Sequence, residues 1–143
     1  MDSVGIVIIA KDSKRFLLLH RVTKPIVWSI LTGTMDVDGE TPEETVRREI
    51  REEIGESSYN KITGITQVGK TKNHGTFNVF VGFTEKEFTP DLKMDENDEW
   101  GWYTENDLPK PIHNKWDETF GLVKKHIFLE ESISKIIKRL LKS

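Results

Sequence analysis

Cysteine is missing altogether from the 143 residues. That excludes disulfide staples, a thiolate-held metal and a thiol nucleophile. An excess of one charge is missing too: 21 Lys and Arg stand against 24 Asp and Glu, a net charge of −3. So even a balance advertises neither a nucleic-acid-coating surface nor a membrane-binding one. No apolar run approaches the roughly 20 residues that a membrane-crossing helix needs. The first ten residues lack a basic lead and meet Asp12 early, so they read as a strand rather than a signal peptide. Repeats and low-complexity tracts are also absent. These absences leave a cytoplasmic protein with no membrane partner as the expectation, and the length suits one domain over residues 1–143.

What is present begins with two β-rich apolar runs, Val4–Ala10 and Phe16–His20, joined by a turn around Asp12 and Ser13. Their near-continuous hydrophobicity predicts strands covered on both faces. The loop Arg21–Pro25 carries cations that can meet phosphate or simply face solvent. Val27–Leu31 predicts a short strand that leads into Thr32-Gly33-Thr34 and a polar loop. Trp28 in that strand suits stacking on a base or a place in the core. Further on, 61–70 and 76–84 predict two more strands around a turn, 85–98 a mobile acidic loop, and 99–104 another strand, followed by a short helical turn. His113 and Trp116 flank a Pro-containing linker and could line a pocket. Phe120, Val123 and Ile127, then Ile133, Ile136, Ile137 and Leu140, keep helical spacing, with Ser132 as a cap or an interruption. Stripes of this kind predict core.

The densest signal lies at 40–55. Thr41 suits an N-cap, Pro42 the first helical position, Glu44 the return arm of a capping box, and Gly55 the stop. At about 100° per residue, with Glu49 at zero, Glu53 falls near 40° and Glu52 near 300°. The three carboxylates therefore share one arc, next to the flank of Val46, Ile50 and Ile54. Repulsion of this kind costs a few tenths of a kcal/mol per pair, and a divalent cation removes it. Hard oxygen donors suit Mg²⁺ or Mn²⁺, completed by water and phosphate.

The spacing Glu40, seven residues, then Arg48-Glu49-Ile50-Arg51-Glu52-Glu53-Ile54-Gly55 resembles the Nudix box. Two positions depart from it: Thr34 stands where the pattern has its first Gly, and Glu56 where it has an apolar residue. The resemblance implies the Nudix fold, an α/β (α+β) arrangement with a mixed β-sheet sandwiched between helices. It also implies hydrolysis of a nucleoside diphosphate linked to another group, by attack of water on phosphorus. Such chemistry needs charge neutralisation and a positioned water rather than a protein nucleophile.

On that resemblance Glu49 and Glu53 are the expected metal ligands. Glu52 is a ligand of a second ion or the general base, and the Gly33 carbonyl is a further ligand. Arg48 orients a carboxylate, and Glu40 acts through a metal-bound water or the helix cap. In the run Glu96–Tyr103, Glu96 resembles a downstream family carboxylate that reaches the metal or serves as base, with Asn97 where a His is common and Glu99 and Asp98 as the other candidates. Trp28, Arg21 and Glu40 are the expected substrate contacts. The expected partner is a small nucleotide, a (d)NTP or a dinucleoside polyphosphate. An RNA 5′ end, contacted through Lys61, Lys70 and Lys72, and a catalytically silent nucleotide sensor are the alternatives. Oligomeric state stays open, with a homodimer as one option.

Overall fold

The computed structural model describes residues 1–72 and 74–142, with the side chains of 128–132 and 134 outside the described set. Its elements run β1 (Ser3–Ala10), β2 (Phe16–Arg21), β3 (Trp28–Ser29), β4 (Leu31–Thr34), α1 (Pro42–Ile54), α2 (Glu56–Tyr59), β5 (Thr63–Lys72), β6 (Thr76–Thr84), β7 (Asn97–Tyr103) and α3 (Trp116–Lys142).

β1 is the centre of a mixed sheet. It runs parallel to β6 along its whole length, from Ser3 opposite Phe77 to Ala10 opposite Thr84. At its start it pairs antiparallel with β4, and at its end it meets β2 at Ile9 opposite Phe16. β2 in turn carries β3 and β7, and β6 carries β5 as the outer strand.

The period-2 alternation of a strand sends successive side chains to opposite faces. In β1, Val4, Ile6 and Ile8 join Val46, Ile50 and Ile54 of α1 in one core, whereas Val7 and Ile9 join Trp116, Phe120 and Val123 of α3 in the other. All five of these β1 side chains are buried. The expectation of strands covered on both faces is therefore met, and the mixed sheet lies between helices as predicted.

Several local expectations change. The strand predicted at 27–31 is two strands: β3 pairs with β2 while β4 crosses to β1, so Thr32, Gly33 and Thr34 are sheet, not loop. Thr34 lies opposite Ser3 and is not among the residues with positive φ, so replacing Gly there costs no backbone strain. Glu56 opens the short α2 on the surface and meets Arg51 at 3.3 Å, a polar solution where an apolar residue was expected.

The segment 85–96 is anchored rather than mobile. The backbone N–H groups of Asp91 and Lys93 donate to the carbonyls of Ile54 and Glu53, the last residues of α1. Phe88 is buried and its carbonyl accepts from the Trp102 indole at 3.0 Å. A hydrogen-bonded turn from Thr104 to Asp107 stands where a short helical turn was predicted. α3 passes through Ser132 without interruption. Its second stripe is not core: Ile133, Ile136, Ile137, Leu140 and Leu141 are all exposed.

Candidate active site

α1 forms as its sequence dictates. The Thr41 hydroxyl accepts from the Glu44 N–H, and the Glu44 carboxylate accepts from the Thr41 N–H, which completes the capping box. With Val46, Ile50 and Ile54 buried at no measurable exposure, the helix rotation is set. The carboxylate arc is thereby turned onto the edge of a cavity of 520 Å³.

Around Arg48 the helix and its preceding loop build a charged hub. Its Nε and Nη2 donate to the two oxygens of Glu40 at 2.8 and 3.0 Å, a bidentate pairing. Its Nη1 donates to Glu49 at 3.1 Å and to Glu52 at 3.2 Å. The Thr45 hydroxyl donates to Glu40 at 2.9 Å. The Arg48 pairing, first among these causes, holds the Glu40 carboxyl below the usual range. The same bond keeps the guanidinium charged at any accessible pH.

Glu53 differs from its neighbours. It is 9 % exposed, and burial, then the charges of Glu49 and Glu96, push its carboxyl up to about 8 against the opposing pull of Arg21. Burial also raises Glu49, with Arg48 working against it. Desolvated carboxylates placed side by side are held at a cost to the apo protein unless a cation or a proton neutralises them.

Gly33 is the close neighbour that makes room. A Cβ there would collide with Cγ and Cδ of Glu49, so only the bare backbone of β4 lets that side chain lie across it. Glu96 and Asn97 also line the cavity, with Glu96 near enough to act on Glu53 by its charge. They are carried there by a register shift between β2 and β7, where Arg21 lies opposite Asn97 and His20 opposite Glu99. The extra residue of this bulge, Asp98, turns away and meets His20 Nδ1 at 2.7 Å.

The same cavity is lined by Arg21, Lys93, His113, Lys115 and Trp116, and Arg21 acts on Glu53 directly by its charge. The Arg21 Nε donates to the Pro25 carbonyl at 3.2 Å, which fixes its loop. His113 Nδ1 accepts from the Lys115 N–H at 3.0 Å. Burial, with Arg21 and Lys115, lowers the His113 pKa. In the neutral ring the proton is then on Nε2, as a donor.

The structure thus gathers Glu49, Glu52, Glu53, Glu96, Arg48, Arg21 and Gly33 around one cavity. Two expected substrate contacts fall elsewhere. Trp28 is buried in the second core, its ring 5.3 Å from His20 and 5.6 Å from Tyr103, and does not line the cavity. Glu40 is taken up by Arg48 and Thr45 and does not line it either. Trp116, stacked on Phe120 with centroids 5.2 Å apart, is the tryptophan at the cavity wall. Lys93 and Lys115 carried no sequence signal of their own, and Asn97 only as the residue standing where the family pattern commonly has a His. They reach the site through the anchored loop, the approach to α3 and the β-bulge.

Among the described residues no three carboxylate or imidazole groups converge as a ready metal cage. Arg48 draws Glu49 and Glu52 towards itself, and a hard cation such as Mg²⁺ is commonly held by one or two carboxylates with water and phosphate completing the shell. The donor set is oxygen throughout, and it includes the Glu53 carboxyl, raised by burial and then by its acidic neighbours. It fits such an ion.

A family model described as NUDIX domain matches residues 1–122. The chain belongs to the Nudix family. Among curated relatives, this Nudix chain is 46% identical over 53 residues to the dihydroneopterin triphosphate diphosphatase of Haemophilus influenzae, a match over 37% of this chain and 33% of that protein. It is 40% identical over 52 residues to the enzyme of the same name from Escherichia coli, covering 36% and 34%. The match therefore spans about a third of the length of these relatives. A solved C. elegans Ap4A hydrolase superposes with a TM-score of 0.71 at 23% identity, over 90% of this chain and 98% of that one. The E. coli dihydroneopterin triphosphate pyrophosphohydrolase gives 0.63 at 22% identity, over 86% and 92%. At these identities the likeness is one of fold.

Proposed function

We propose that this Nudix domain hydrolyses a pyrophosphate bond in a nucleoside diphosphate linked to another group, with Mg²⁺ or Mn²⁺, and that a (d)NTP or dinucleoside polyphosphate is its substrate. One observation carries the reading: Glu49, Glu52, Glu53 and Glu96 share with Arg21, Lys93 and Lys115 the lining of one cavity of 520 Å³, a volume in the range of small-ligand sites.

Glu49 and Glu53, one turn apart, with the Gly33 carbonyl and Glu52 nearby, would hold the cation. When bound, such an ion neutralises phosphate charge and makes water a better nucleophile. Arg21, Lys93 and Lys115 receive the phosphates that the carboxylates repel, and so orient the chain of phosphorus atoms along the cavity. Arg48 positions Glu49 and Glu52 while Glu40 positions Arg48. Glu52, 48 % exposed at its side chain, and Glu96, which lines the same cavity, are the two groups that can accept a proton from water. Trp116 offers the apolar wall for a base. We further propose that residues 1–143 work as one domain, in the cytoplasm.

The resemblance to dihydroneopterin triphosphate diphosphatases over a third of the chain favours one second reading, a pterin triphosphate in place of a purine or pyrimidine one. A panel of (d)NTPs, diadenosine polyphosphates, dihydroneopterin triphosphate, ADP-ribose and 5′-triphosphorylated RNA, each with Mg²⁺, tests both. Release of pyrophosphate or of a nucleoside monophosphate from a small nucleotide supports the proposal. Turnover of the RNA alone moves the substrate class to RNA 5′ ends. Tight binding with no turnover of any member overturns hydrolysis in favour of a sensor.

A further inference from the structure

The end of α3 has a chemistry of its own. The helix buries Trp116, Phe120 and Val123, and Ile127 packs at the edge of the same core, but every described side chain from 133 to 142 is exposed. On this segment Ile133, Ile136, Ile137, Leu140 and Leu141 occupy an arc of about 140° when the helix advances about 100° per residue. Lys135, Lys138, Arg139 and Lys142 occupy the opposite arc, with Lys138 and Arg139 each about 130° from the middle of the apolar face.

No Asp or Glu falls between 133 and 142, so four cations stand on a chain whose net charge is −3. Overall composition conceals this segregation, because the acidic residues lie elsewhere. Both features are what a helix lying in a lipid interface requires: an apolar stripe and a polar face rich in Lys and Arg. Among the described residues no helix is long and apolar enough to cross a membrane. This one would lie on the surface.

We infer that residues 133–142 are a docking helix for an anionic lipid surface. The apolar arc enters the acyl boundary, and Lys138 and Arg139 reach down to the headgroups on either side. A second copy of the chain is the weaker occupant. Ten helical residues, about 15 Å long and about 10 Å across, present a face on the order of 150 Å², well short of the roughly 800 Å² per partner in a standard interface, and the cations would face away from the seam. Among the described residues of α3, Trp116 and Thr119 line the site cavity, so the docking segment 133–142 takes no described residue from the site.

Co-sedimentation of the full chain with vesicles tests this. Phosphatidylcholine vesicles are compared with vesicles of equal phosphatidylcholine and phosphatidylglycerol, and light scattering follows the mass of the protein alone. Binding to the anionic vesicles only, weakened by salt, is the expected result. Lys138→Gln with Arg139→Gln should weaken it about fivefold per cation removed. Ile137→Glu with Leu141→Glu should abolish it without changing the melting temperature, since both positions are exposed. Equal binding to both vesicle types overturns the role of the cations. No vesicle binding overturns the proposal, and a dimer that the Ile137→Glu, Leu141→Glu variant dissociates then gives the face to a second copy. Nucleotide hydrolysis is read separately and does not enter the outcome.

Discussion

The Glu49 side chain lies where a Cβ on Gly33 would stand. The central strand system and the acidic helix therefore meet through a residue with no side chain. Gly33→Ala should push Glu49 off β4 and away from Glu53, while the rest of the sheet is kept. The expected outcome is a fall in turnover of ten- to a hundredfold, as for other losses of metal-site support, with a higher Mg²⁺ requirement and a melting temperature within a few degrees. Thr34→Gly, one residue on, should change neither, because Thr34 already sits in ordinary strand geometry.

Arg48 reaches four carboxylates at once through a planar fork, those of Glu40, Glu49, Glu52 and, at 3.5 Å, Asp36. A lysine keeps the charge and loses the bidentate grip. Arg48→Lys should lower kcat at least tenfold with a smaller effect on KM, since Glu49 and Glu52 lose position rather than the phosphates losing a contact. Steady-state kinetics at saturating Mg²⁺ measure this.

For Glu53, raised from 4.5 to about 8 mainly by burial, the native state holds a proton that the unfolded chain has released. Its contribution to stability is present in full below about 4.5 and is lost as pH rises through about 8. Glu49, also raised, acts in the same direction. The metal-free protein should therefore melt at a lower temperature at pH 8.5 than at pH 6. Glu53→Gln should flatten that dependence, and Mg²⁺ should restore stability most at the alkaline end, with proton release on binding. Calorimetry with and without chelator reads all three. Loss of kcat by orders of magnitude in Glu53→Gln, with the fold intact by circular dichroism, is expected alongside.

Ile50 is fully buried under α1 while Ile136 is 55 % exposed on α3. Ile50→Ala should cost about 2–5 kcal/mol in urea unfolding, the usual range for a cavity of that size. Ile136→Ala should stay within about 0.5 kcal/mol. A large loss at Ile136 would mean that its face is covered in the isolated protein.

The sequence by itself determined α1. Cap, stop, apolar flank and carboxylate arc are all spaced within one helix, and local periodicity is all that is needed to place them on its faces. It likewise determined the strands of the double-sided core, because β1 is apolar at nearly every position and such a run must be covered twice. Chemistry concentrated in one continuous segment is legible from spacing alone.

Only the tertiary structure decided the rest of the site. Arg21, Asn97, Lys93 and Trp116 come from four separate segments, and their meeting depends on strand order, on one bulge residue and on a loop tied to the end of α1. Trp28 and Trp116 read alike as aromatic candidates, but β3 pairing turns the first into the core while the start of α3 sets the second at the cavity. The two apolar stripes of α3 also read alike. The sheet ends beneath the first of them, so Val123 is buried and Ile137 is not, and periodicity cannot report where the surface it packs against runs out.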